Sequence, residues 1–163
     1  MPVEIERKFL VRNDAWKEAA DKGSYVLQGY IPTTNETTVR VRYTKNLGTN
    51  EEKAFITIKG KTKGHKRSEF EYAVPAEQAH QMLDEFCPKL RVEKTRCLVP
   101  YEDKTWEVDV FHGRHEGLVL AEIELDREDD AFKKPAWVGK EVSEDKEYRN
   151  SYLATHGKPA KHR

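Results

Sequence analysis

The sequence is poor in cysteine, in long apolar runs and in any excess of charge. Only two of its 163 residues are cysteine, Cys87 and Cys97. That count fits reduced thiols in the cytoplasm rather than a disulfide framework. No apolar stretch approaches the ~18 residues needed to cross a bilayer, and the N-terminal MPVEIERKFLV carries charges where a signal peptide needs an apolar core. No membrane partner is expected. Lys plus Arg and Asp plus Glu number 29 each. This balance argues against a general electrostatic nucleic-acid binder, which would show a basic excess. Repeats at solenoid or propeller periods are missing. So is a Walker-type loop, because GKTKG at Gly60–Gly64 lacks its spacing and its terminal Lys-Ser/Thr. A mean hydropathy of −0.88 would suit a disordered chain, but zero net charge and 10% aromatic residues indicate a folded one. The length fits one domain, read as residues 1–156 followed by a short basic tail, 157–163.

What is present is period-two alternation. Val3, Ile5 and Phe9 alternate with Glu4, Glu6 and Lys8. Tyr25, Leu27 and Ile31 oppose Gln28 and Tyr30, and Val39, Val41 and Tyr43 oppose Arg40 and Arg42. Ile56 and Ile58 face away from Lys59; Phe70, Tyr72 and Val74 oppose Glu69 and Glu71. Residues 91–99 carry Lys94 and Arg96 on one face. Trp106, Val108 and Val110 oppose Glu107 and Asp109, and Ala121, Ile123 and Leu125 oppose Glu122 and Glu124. Eight strands suit a small closed barrel. Helices are expected from Asn13 or Asp14 through Ala20, from Pro75 to Pro88, and over Tyr148–His156 with Gly157 as the stop. Turns are expected at Asn46–Asn50 and Gly60–Gly64. The fold class is α+β: an eight-stranded antiparallel β-barrel with helices packed on the outside.

The charged alternates decide between two readings. In one, they form the solvated outer face of an ordinary antiparallel sheet. In the other, they line an interior and the apolar side packs against the helices. Charged pairs recur strand after strand, although Glu, Lys and Asp are poor strand residues, and this favours the second. Residues two apart on a strand share a face at roughly 6.5–7 Å, so such pairs can converge on one ligand. A lumen of mixed charge suits a polyanion held with a divalent cation. Arg and Lys grip phosphate oxygens, while carboxylates hold hard cations such as Mg²⁺ or Mn²⁺.

Glu4-Ile5-Glu6-Arg7-Lys8 matches the ExExK signature of the CYTH superfamily, the triphosphate tunnel metalloenzymes. Further along stand QGY at Gln28–Tyr30, VRVR at Val39–Arg42, TIKG at Thr57–Gly60, EFEY at Glu69–Tyr72 and KTR at Lys94–Arg96. EVDVF at Glu107–Phe111, AEIEL at Ala121–Leu125, GKEV at Gly139–Val142 and the Tyr148–Leu153 segment follow in the same order. The chain thus resembles that family over nearly its whole length, most closely the short, single-domain bacterial type. The resemblance implies an eight-stranded tunnel that binds a triphosphate with metal and hydrolyses a phosphoanhydride bond. Glu4, Glu6, Asp109, Glu122 and Glu124 fall on its metal-binding and water-activating positions. Lys8, Arg40, Arg42, Lys59, Lys94 and Arg96 fall on its phosphate-gripping positions. Glu4, Glu6, Lys8 and Lys94 are the expected catalytic set, with Lys94 or Tyr30 as the partner of Lys8. Glu69 and Glu71 match tunnel acids of variable role.

Inorganic tripolyphosphate, split into pyrophosphate and orthophosphate with Mg²⁺ or Mn²⁺, is the expected substrate, and a homodimer is left open. The alternatives are a nucleoside or thiamine triphosphatase, a class IV adenylyl cyclase, or a non-catalytic polyphosphate- or nucleotide-binding module. The other conspicuous residues have plainer readings. Cys87, Cys97, Trp16, Trp106 and Trp137 read as packing residues, His112 and His115 as surface histidines, and His65 as a loop residue at the tunnel mouth.

Overall fold

The computed structural model describes residues 5–61, 63–64 and 66–163. Glu4 and His65 lie outside the described residues. The elements run β1 (Ile5–Val11), β2 (Ser24–Ile31), β3 (Thr38–Asn46), β4 (Glu52–Lys59), β5 (Glu69–Ala73), α1 (Ala76–Phe86), β6 (Arg91–Tyr101), β7 (Lys104–Phe111), β8 (Val119–Leu125), β9 (Val138–Glu141) and α2 (Asn150–His156). The strands form one antiparallel sheet in the order β5-β4-β3-β2-β6-β7-β8-β1-β9.

The sheet has nine strands and is not closed, which corrects the expected eight-stranded barrel. Closing it at eight would require β1 to pair with β5. Instead the short β9, which shows too little alternation to be read as a strand, occupies that edge of β1 through Phe9↔Glu141 and Val11↔Val138. At the other end, β5 pairs only with β4 and all five of its residues are exposed. Two further corrections are local. The helix expected after Asn13 is only a 3-10 turn, Ala15–Glu18. His115 is buried, in a second 3-10 turn at Gly113–His115.

The apolar alternates form two clusters on the face turned away from the charges. In the first, Phe9, Val108, Ala121, Ile123 and Leu125 pack with Trp16 and Trp137. Trp106 meets Phe9, Phe132 and Trp137 edge-on at centroid separations of 5.5, 5.8 and 5.7 Å. Burying each such side chain stabilises the fold by about 1.5–3 kcal/mol. In the second, Leu27, Val41 and Tyr43 receive Ala79, Leu83 and Cys87 from α1 and its C-terminal cap. Pro75 sits at the N-cap with an extended backbone and starts this helix. Its C-terminal end packs so tightly on β2 that a Cβ at Gly29 would stand 2.6 Å from the Cys87 Cβ. This explains the glycine between Gln28 and Tyr30, two residues that point to the opposite face.

A third cluster covers one end of the charged face. Leu153 and Ala154 of α2, with Tyr148 and Val142, pack on Val92, Phe111 and Leu120. The helix is stopped by Gly157, whose φ of 85° favours glycine. Beyond it the chain turns back, and Tyr148 Oη and His162 Nε2 lie 2.9 Å apart. Among the described residues, no helix is long and apolar enough to cross a membrane.

Candidate active site

Register alone puts the charged residues on one face, since directly paired residues of neighbouring strands point the same way. Across the sheet run Lys59↔Glu69, Thr57↔Glu71, Arg40↔Thr57, Tyr30↔Arg40 and Gln28↔Arg42. Farther along come Arg96↔Asp109, Glu107↔Glu122, Lys8↔Glu122 and Glu6↔Glu124. The sheet curls enough that Lys8 of β1 and Arg40 and Lys59 of β3 and β4 line one cavity of ≈ 280 Å³. The segment that begins α2 forms its roof. Five of the lining side chains are cationic (Lys8, Arg40, Lys59, Arg67 and Arg149), and among the described residues no Asp or Glu lines it.

Next to this basic half lies an acidic wall. Lys8 joins the two: it lines the cavity, its Nζ is 3.4 Å from Glu122 Oε1, and it donates to the Tyr148 carbonyl at 2.8 Å. Glu6 is reached by solvent, yet its carboxyl is pushed above the usual range. Partial desolvation by the wall contributes most, followed by repulsion from Glu122 and, more weakly, from Glu107; Arg96 and Lys8 oppose it. Glu107 takes Arg96 Nη1 at 3.0 Å, and Glu122, only 5% exposed, lies 3.8 Å from Arg96 Nη2.

Asp109 is the hub of this wall. Lys94 Nζ donates to its Oδ2 at 2.8 Å, while Arg96 donates from Nε to Oδ1 at 2.7 Å and from Nη2 to Oδ2 at 2.9 Å. Burial by itself would raise the Asp109 carboxyl, but the two cations outweigh it and hold the group well below the usual carboxylate range. Lys94, 1% exposed, has Asn150 Oδ1 as its other acceptor at 3.3 Å.

The basic half is built differently. Arg42 donates from Nε to Gln28 Oε1 at 2.8 Å, and Arg40 donates from Nη2 to Thr57 Oγ1 at 3.4 Å. Burial, reinforced by the like charges of Arg40 and Arg96, lowers the Arg42 guanidinium to about 10. Tyr30 is raised by burial, though Arg40 and Arg42 pull against it. Thr57 in turn donates to Glu71 at 2.8 Å, and Glu69 is 4.0 Å from Lys59. The two β5 acids are therefore placed on the outer side of the cations.

A model of the CYTH domain matches residues 2–158 of the chain. The chain belongs to this family. It is 45% identical to an inorganic triphosphatase of Acetivibrio thermocellus over 153 residues, 94% of each chain. It is 38% identical to an inorganic triphosphatase of Nitrosomonas europaea over 155 residues, 93% of this chain and 96% of that one. A crystal structure of an inorganic triphosphatase superposes with a TM-score of 0.68 at 33% identity, covering 94% of this chain and 95% of that one.

For this CYTH domain, the structure brings Lys8, Arg40 and Lys59 to one cavity, with Arg42 held beside Arg40, and gathers Glu6, Asp109, Glu122, Lys94 and Arg96 at the wall. Glu124 lies opposite Glu6 at the exposed end, and Glu4 is outside the described residues. Tyr30 lines the cavity with Lys8, whereas Lys94 is tied to Asp109. Arg149, Arg67, Thr57 and Gln28 were not singled out by sequence reasoning. Gln28 and Thr57 do occupy charged-face positions in the alternation, but Arg149 and Arg67 lie outside the strands and carry no such signal. Glu6 feels repulsion from the neighbouring Glu122 and Glu107 carboxylates, and such hard oxygen donors are of the kind a divalent cation takes. Among the described residues, no three acidic, histidine or cysteine side chains already form a metal cage.

Proposed function

We propose that the protein hydrolyses a terminal phosphoanhydride bond of a triphosphate, with inorganic tripolyphosphate as the preferred substrate. The observation that carries this is the cavity lined by five cations and, among the described residues, by no carboxylate, joined through Lys8 to an acidic wall. Phosphoryl transfer demands placement and charge neutralisation more than covalent chemistry. Arg40, Arg42 and Lys59 bind the phosphate chain, and a guanidinium offers two parallel donors to phosphate oxygens. Tyr30 is the one aromatic among the described cavity-lining residues. Among the described residues the cavity thus offers a base or thiazolium ring no second aromatic to sandwich it against Tyr30, which favours an inorganic chain.

Water attacks the terminal phosphorus in line, the new O–P bond forms, and the bridging P–O bond breaks. Orthophosphate and pyrophosphate leave. Glu6, whose proton affinity is raised by partial burial and by Glu122, accepts the proton of the attacking water. Lys8, placed between wall and cavity, offsets charge on the transferring group. Asp109 holds Lys94 and Arg96 in position. Glu4, Glu6, Glu122 and Glu124 would hold Mg²⁺ or Mn²⁺, and the bound cation would supply charge neutralisation and acidify a coordinated water.

The test is orthophosphate release from tripolyphosphate, ATP and thiamine triphosphate, each with Mg²⁺, Mn²⁺ or EDTA. Release that is fastest from tripolyphosphate and abolished by EDTA is expected. Preference for an organic triphosphate would overturn the substrate assignment, and no release from any of the three would overturn the reading.

A further inference from the structure

Two pairs of cations on the charged face are met in opposite ways. Lys94 and Arg96 are met by carboxylates, whereas Arg40 and Arg42 are met by neutral oxygens, those of Thr57 and Gln28. Among the described residues, neither Arg40 nor Arg42 has a carboxylate within 4 Å. For Arg42 the neutral partner is completely buried, at 0% exposure. A fully buried glutamine on the face of a sheet otherwise rich in charge is unusual, because burying a primary amide is costly unless its groups are bonded.

Its orientation is dictated by its neighbour. Arg42 Nε is only a donor, so the carboxamide must turn its oxygen to it. The amide nitrogen is left as a buried donor with no acceptor among the described residues. Arg40 Nε is a second such donor. Of the four such buried donors among the described residues, two are the Trp16 and Trp106 indoles of the apolar cluster, and the two on the charged face both belong to the basic half of the site.

We propose that Gln28 is a positioning residue of the anion site: it fixes the Arg42 guanidinium through Nε without neutralising it, so that the full charge of Arg42 is available to a phosphate chain. A carboxylate in the same place would orient Arg42 equally well, but it would cancel the charge and repel the anion. A hydrocarbon there would keep the charge and lose the orientation. The neutral acceptor meets both demands. This rests on the triphosphatase reading and names a residue that sets the affinity of that site.

The experiment is calorimetric titration of the protein with sodium tripolyphosphate in EDTA, together with melting temperature, for wild type, Gln28→Glu and Gln28→Met. Glu is isosteric and creates an ion pair with Arg42, so Gln28→Glu is expected to hold or raise the melting temperature while weakening tripolyphosphate binding about tenfold or more. Gln28→Met is expected to lower the melting temperature and weaken binding severalfold. If Gln28 served the fold alone, affinity would follow stability. Wild-type affinity in a folded Gln28→Glu protein would overturn the proposal. Should that variant fail to fold, wild-type affinity in Gln28→Met would overturn it equally. If the wild type bound no tripolyphosphate in EDTA, this inference would be overturned, whereas the triphosphatase reading stands or falls separately on phosphate release with Mg²⁺ or Mn²⁺.

Discussion

Lys94 Nζ lies 2.8 Å from Asp109 Oδ2, and the two side chains are 1% and 2% exposed. Two opposite charges so far from water stabilise each other only while both remain. Arg96 depends on the same carboxylate through two hydrogen bonds. Asp109→Asn is expected to strand Lys94, to leave Arg96 with Glu107 and Glu122 alone, and to destabilise the protein by about 3–5 kcal/mol, read from the urea midpoint. A variant as stable as wild type would show that the pair is not needed for folding.

Glu6 stands in a different balance, crowded by Glu122 and Glu107. Glu6→Gln removes a charge from this crowd with little change of shape. Thermal melting should stay level or rise, while phosphate release should fall about 100-fold or more, the usual weight of a general base. Unchanged turnover would remove Glu6 from the proton-accepting role.

At the other edge of β1, Arg7 donates from Nε and Nη2 to Glu141 at 2.9 and 2.6 Å, and Ser143 donates to the same carboxylate at 2.6 Å. These bonds lower Glu141 from about 4.5 to about 2. For an acid held lower in the folded state, the stabilisation exists above the unfolded value and is lost as pH falls through the folded one. Wild type should therefore exceed Arg7→Met in denaturant midpoint at pH 6, and the gap should close between about pH 4.5 and 2. A gap independent of pH would assign the effect to packing of Arg7 on Phe132, 4.9 Å from its ring centroid.

His115 gives a pH dependence nearer neutrality. It is 1% exposed and its Nε2 lies 2.5 Å from the Leu153 carbonyl, within α2. Burial, helped by Arg114 and Lys158, lowers it from its ordinary value of 6.5. The unfolded chain then binds the proton more readily, so stability is retained above about 6.5 and declines as pH falls below it. Hydrogen exchange over residues 150–157 should accelerate between pH 7 and pH 5 more than in β6 and β7. In His115→Phe that difference should vanish.

Much of this was legible in the sequence, because strict alternation fixes which side chains share a face. Arg40, Arg42, Lys94, Arg96, Asp109 and Glu122 are assembled by register, and register follows from the apolar face that must be buried. The open sheet was not legible. Val138–Glu141 is too short to show a period, and its choice of the β1 edge is a tertiary event. The burial of His115 and the roof formed by residues 148–151 escaped for the same reason: both depend on where a seven-residue helix docks. Gln28 was visible on the charged face but not as the partner of Arg42, since alternation gives the face of a residue and not its hydrogen bonds.

The alternation of β3 also behaves like a reading frame. Val41 is fully buried on one side, and Arg40 and Arg42 flank it on the other. Substitutions in this strand alter one side chain each. Losing a single residue would instead shift every later position to the opposite face, sending guanidinium groups into the α1 interface and valines toward the cationic cavity. The strands that build the site can thus vary in residue type far more readily than in length, and changes of length are confined to the turns between them.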